Sequence, residues 1–181
     1  SLGGIQGSGF ISLSDEIPRA VFGVPGSAWG TMLSRSIVFT PIKLILTPYY
    51  LDPLDVQILI AHFQSRFDHT DPANITKLMF KSPLPDAPKD RKVILQEAIG
   101  DSQVPNMATE ILARAIGVKL MTPALYPVSG LADVTSPATD SVLSQYRLVN
   151  YDNPLPPKEN MAAPKDNDVH HAMNFLPNCH L

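Results

Sequence analysis

The chain has one cysteine, Cys179, so no disulfide can form within it, and a lone thiol near a chain end is no signature of thiol chemistry. Charge is also sparse, at 17% Asp, Glu, Lys and Arg with a net charge of -3. The 14 basic residues are scattered rather than gathered on a stripe, which excludes the electrostatic footprint of a nucleic-acid binder. No long apolar run is present. The most apolar stretch, residues 37–50, is cut by Pro41 and Pro48 and carries Lys43, so it falls short of the roughly 20 apolar residues that a transmembrane helix needs. His62, His69 and His180 stand at no spacing from cysteine or carboxylate that forms a metal motif. Asp68 and Asp71, on either side of His69, read as a turn and helix cap. Internal repeats are absent.

What is present suits a globular domain: 181 residues, 44% of them hydrophobic. Residues 3–13 read as a helix in spite of four glycines, a composition that implies close packing. Residues 19–24 form a short apolar run between Pro18 and Pro25-Gly26, which predicts a buried parallel strand. Apolar helical segments follow at 30–46 and 53–67, then a tract with Pro83, Pro85 and Pro88. The spacing of Leu54, Ile58, Ala61 and Ser65, widened by Val56, Leu59, Ile60 and Phe63, predicts a helix packed in the core in preference to a lid. Residues 92–99 read as a strand that ends at Gly100-Asp101. A helix then starts at Pro105, with a stripe of Met107, Ala108, Ile111, Leu112 and Ala115, and stops at Gly117. Residues 141–149 are a further strand candidate, and 153–167, rich in Pro, Asn and Lys, a loop. The expectation is one α/β domain in three parts: a helix and strand at 1–29, a helical cap-like insertion at 30–90, and strands and loops at 91–181.

Three residues in this frame have the chemistry of a serine nucleophile. A hydroxyl is a poor nucleophile at neutral pH and needs a base, which in turn needs an orienting partner. Ser1 in Ser1-Leu2-Gly3-Gly4, Asp101 on the loop leaving a strand's carboxyl end, and His170 in Asn167-Asp168-Val169-His170 are candidates for nucleophile, orienting acid and base. Each has a plainer reading. Serine is common in glycine-rich turns, Asp101 suits the start of a helix, and His170 has a rival in His171. An N-terminal-nucleophile amidohydrolase, with the Ser1 amine as base, is a further alternative. Its nucleophile opens a strand, however, and residues 2–9 carry too many glycines for a strand interior.

On Ser1-Leu2-Gly3-Gly4, on residues 93–109 with Gly100-Asp101-Ser102-Gln103-Val104-Pro105, on Ser144-Gln145-Tyr146 and on Asn167-Asp168-Val169-His170, the chain resembles the α/β-hydrolase superfamily. The resemblance is closer to the carboxyl-terminal half of large bacterial extracellular lipases and esterases. It implies a parallel sheet flanked by helices and a Ser1-Asp101-His170 triad. The Leu2 N–H would be one oxyanion donor. It further implies hydrolysis of a small-molecule or lipid ester without metal or organic cofactor, and a place outside the cell or in its envelope. A nucleophile elbow also needs a strand running into the serine and a glycine two residues before it. Neither precedes Ser1, so the resemblance implies that the first strands and the second oxyanion donor are missing, that the chain is truncated at its start and shortened after His170, and that the fragment alone is inactive. The alternative from another class is a non-catalytic domain of the same fold, used for binding.

Overall fold

The computed structural model describes residues 1–156 and 165–175. Helix α1 (Leu2–Leu13) leads into β1 (Arg19–Gly23). A helical segment follows: α2 (Trp29–Arg35), a 3-10 turn (Ile37–Phe39), α3 (Thr40–Leu46), α4 (Pro53–Phe67), α5 (Pro72–Ile75) and α6 (Lys77–Phe80). The remainder is β2 (Lys92–Ala98), α7 (Asn106–Ile116), β3 (Lys119–Thr122), β4 (Asp133–Thr135), β5 (Val142–Tyr146) and α8 (Val169–Phe175). The five strands form one sheet in the order β1-β2-β5-β3-β4, and every pairing is parallel. The expected α/β class with a helix-flanked parallel sheet is therefore present. Cys179 and His180 lie outside the described residues.

Alternation along β2 sorts the two faces. Val93, Leu95 and Glu97 are buried on one side, where α1 and α7 cover the sheet through Ile11, Phe22, Leu112, Ile116, Leu120 and Leu143. On the other side α8 covers only the carboxyl ends of the strands, with Val169, Ala172 and Met173 against Val24, Ala98 and Leu148. Nearer the amino ends, the paired neighbours Val21 and Ile94 are 60% and 39% exposed. This corrects the expectation of a buried strand at 19–24. β1 occupies a sheet edge and buries Phe22 while leaving Val21 in solvent.

Two further expectations change. Residues 30–46 are not one helix, because Ser36 is extended and caps the following 3-10 turn by accepting from Val38 N. No residue of α3 or α4 is fully buried, so the expectation of a core helix at 53–67 is not met. Leu54 and Ile58 face solvent at 63% and 51% exposure, while Val56, Ile60 and Phe63 turn toward α2 and α3. β3 and β4 lie inside a span where the sequence predicts no strand. They have four and three residues, too few to show a period of two.

Candidate active site

Asp101, His170 and Ser1 lie at the carboxyl end of the sheet: Asp101 follows β2, His170 stands on α8 against the strand ends, and Ser1 stands beside the end of the edge strand β1. Gly100, just after β2, has φ +78°, and a Cβ there would lie 2.8 Å from the Asn153 Cα. Only glycine fits such a turn without strain. The turn delivers Asp101 into the interior at 2% exposure. Its Oδ1 accepts from the backbone N–H groups of Gln103, at 2.8 Å, and Val104, at 2.9 Å. Its Oδ2 lies 2.7 Å from His170 Nδ1.

These contacts fix the imidazole tautomer. The carboxylate has only acceptors to offer, so Nδ1 carries the hydrogen and donates it to Oδ2. In its neutral form the ring then presents Nε2 as a lone pair. His170 is 4% exposed, whereas His171 is exposed and pairs its Nε2 with Gln103 Nε2 at 3.0 Å. Of the two adjacent histidines, the one named from the sequence is the one that meets Asp101. Asn167 ties the two loops together, its Nδ2 donating to Gly100 O at 2.7 Å.

Ser1 opens α1 at the same end. Its amino group donates to Gly23 O, at the end of β1, at 3.0 Å. Burial lowers the proton affinity of that amine, and the charge of Asp101 acts in the opposite direction, which brings the acid within electrostatic reach of Ser1. Close packing fixes the helix start, since a Cβ on Gly4 would meet Gly23 O at 3.0 Å and Pro25 Cβ at 3.1 Å. Ser1 O accepts from Ile5 N, so the Leu2, Gly3 and Gly4 N–H groups are those a helix leaves without intrahelical partners. An anion held there would also meet the positive end of the helix dipole. Leu2 itself is 53% exposed.

Sequence reasoning passed over the asparagines. Asn106 Nδ2 donates to Ala98 O at 2.8 Å and its Oδ1 accepts from Gly100 N at 3.0 Å, so it clamps the strand end from which the acid loop springs. Asn153 donates to Leu148 O at 2.6 Å beside Gly100. An asparagine beside a glycine-containing turn was the available signal, but it does not say which backbone groups are bridged. Among the described residues no three His, Cys, Asp or Glu side chains gather as a metal site would require. No helix among them is long and apolar enough to cross a membrane. Asp68 and Asp71 do act at caps and turns, as expected. No protein-family model, curated protein or solved structure matches this chain.

Proposed function

We propose that the protein is a serine hydrolase of α/β-hydrolase type that cleaves carboxylic esters through an acyl-enzyme. The observation that carries this reading is the buried 2.7 Å pairing of His170 Nδ1 with Asp101 Oδ2 at the strand ends where Ser1 heads α1. In the reaction Ser1 Oγ attacks the ester carbonyl carbon as His170 Nε2 takes its proton, and Asp101 stabilises the imidazolium. The oxyanion of the tetrahedral intermediate accepts the Leu2 N–H. His170 returns the proton to the departing alkoxide, then activates the water that releases the acid.

A cavity of about 220 Å³ between α2, α3 and α4, lined by Leu33, Phe39, Ile42, Leu46, Ile60 and Phe63 among others, supports an apolar acyl group. Phe39 links it to the site, because it also packs on the cluster of Ile5, Met32 and Val104. Ile5 is one turn from Ser1, and Val104 N holds Asp101. The opening of a helix, not a strand, by Ser1 weighs against the N-terminal-nucleophile alternative.

The test is covalent labelling of the full-length protein by a fluorophosphonate, read by mass spectrometry of the modified peptide. Ser1 is the labelled residue, and Ser1→Ala or His170→Ala abolishes both labelling and hydrolysis of a short-chain aryl ester. Labelling elsewhere overturns the assignment of Ser1. Neither labelling nor turnover by a folded protein leaves the non-catalytic domain as the correct reading.

A further inference from the structure

Where the chain leaves β3 and β5, neighbours in the sheet, its two continuations part. The first runs outward to the edge strand β4, and the second runs back to α8, which packs on Val24 and Ala98 at the ends of β1 and β2. Loops that diverge from adjacent parallel strands open a crevice at their carboxyl ends, the place where open α/β sheets take ligands. A cavity of about 400 Å³ occupies this crevice, separate from the one between α2, α3 and α4.

Strand alternation supplies its floor. Leu120 and Leu143 belong to the inner core, so Met121 and Ser144, the next residues along, face the other side of the sheet, where Tyr146 joins them. Thr122 and Leu125 wall the cavity from the end of β3 and the turn after it, and Arg147 stands exposed at the rim just past β5. Two polar groups single the place out. Ser144 is 2% exposed, yet among the described residues its hydroxyl has no hydrogen-bond partner and opens on the cavity. A hydroxyl kept from solvent and bonded to nothing in the protein is free to donate to, or accept from, a bound molecule.

The second group is Arg147. Its Nε donates to Asn153 Oδ1 at 3.0 Å, and Asn153, 4% exposed, is anchored in turn to Leu148 O at 2.6 Å. One edge of the guanidinium is thereby pinned, and its two terminal nitrogens are left as a fork. Such a fork matches a carboxylate in bidentate geometry. Among the described residues no Asp or Glu lines the cavity, so the charge there favours an anion. An apolar cavity of about 150 Å³ already holds benzene, and the larger volume here admits a ring or short alkyl chain together with polar ends.

We propose that the crevice between the carboxyl ends of β3 and β5 binds a small carboxylate with an apolar body and a second polar atom. The head sits on Arg147 at the rim, the body lies on Met121, Leu125 and Tyr146, and the second polar atom meets the Ser144 hydroxyl at the floor. The site is independent of the reading of Ser1, Asp101 and His170 as a triad, because Tyr146 stands between it and the cluster formed by α8.

The test titrates the full-length ¹⁵N-labelled protein with three probes and follows backbone amide resonances. The probes are 3-(4-hydroxyphenyl)propanoate, 3-phenylpropanoate, which lacks the phenol hydroxyl, and 3-(4-hydroxyphenyl)propan-1-ol, which lacks the charge. Saturable shifts fall on Thr122, Leu125, Ser144 and Arg147. The hydroxylated acid binds about fivefold tighter than the plain acid and about tenfold or more tighter than the alcohol. Arg147→Gln weakens both acids about tenfold and spares the alcohol, whereas Ser144→Ala brings the two acids to equal affinity.

Equal binding of acid and alcohol by wild type, or an equal loss of all three probes in Arg147→Gln, overturns the carboxylate. A difference between the two acids that survives Ser144→Ala overturns the floor contact. Shifts confined to α2–α4, or no saturable shift from any probe up to its solubility limit, overturn the site itself. Binding persists in His170→Ala whether or not the protein hydrolyses esters, and its loss there would place the acid at the proposed triad instead.

Discussion

At the scale of single residues, the contacts of Asp101 decide what an amide would do in its place. Its Oδ1 is held by two backbone N–H groups, of Gln103 and Val104, and its Oδ2 by His170. In Asp101→Asn the amide oxygen stays with the two backbone donors, since turning it away would aim the amide hydrogens at them. The amide nitrogen then points at His170 Nδ1. The ring must accept there, so its proton moves to Nε2, which can no longer take one from Ser1. With Ser1, Asp101 and His170 acting as proposed, turnover should fall by about 10⁴-fold while the fold is kept. Steady-state kinetics together with an unchanged circular dichroism spectrum check this. A loss below tenfold would show that the acid does not select the tautomer.

At the scale of elements, Asp71 ties together three helices, two of whose starts the chain separates by some forty residues. One oxygen accepts from Ala73 N at the start of α5 and from Ala28 N, and the other from Trp29 N at the start of α2 and from Gln64 of α4. Ala28 has φ +58°, a strained lead-in that these bonds hold in place. Replacing Asp71 with alanine leaves two half-buried helix starts without their acceptor. Urea unfolding should register a loss of about 2–4 kcal/mol.

Half of this is legible. Asp71 before Pro72 announces a helix cap, but its reach to Ala28 depends on how the helical segment between β1 and β2 folds back. The same limit explains the other differences. β2 and α7 are legible because each carries its period with clear ends, Gly117 closing α7 at φ +88°, whereas α1 is legible only from glycines that imply close packing. The buried face of α7 nonetheless contains Thr109 and Glu110, polar residues that an apolar stripe cannot forecast, whereas Met107, Ile111 and Ala115 are only half covered. For α4, apolar spacing was visible, but whether such a face meets a core or a cavity is a property of its neighbours. At the site, the residue types and their order named Asp101 and His170. The clamp of Asn106 was silent, because it is set by how strand and loop meet in space and not by sequence distance.

At the scale of the molecule, the sheet is covered unevenly. Parallel sheets are ordinarily buried on both faces, yet Val21 and Ile94 stand in solvent beside one another, and β1 has a neighbour on one side only among the described residues. The unpaired backbone of an edge strand with an apolar side chain is a template for other chains. The protein with these residues should associate as its concentration rises. Val21→Lys places a charge on the edge without touching the buried contacts of Phe22, so thermal stability should shift by no more than about 0.5 kcal/mol, as for a surface substitution. Light scattering coupled to size exclusion gives the decision. The lysine variant should remain monomeric at concentrations where wild type grows in mass, and equal growth in both would mean that another surface drives association.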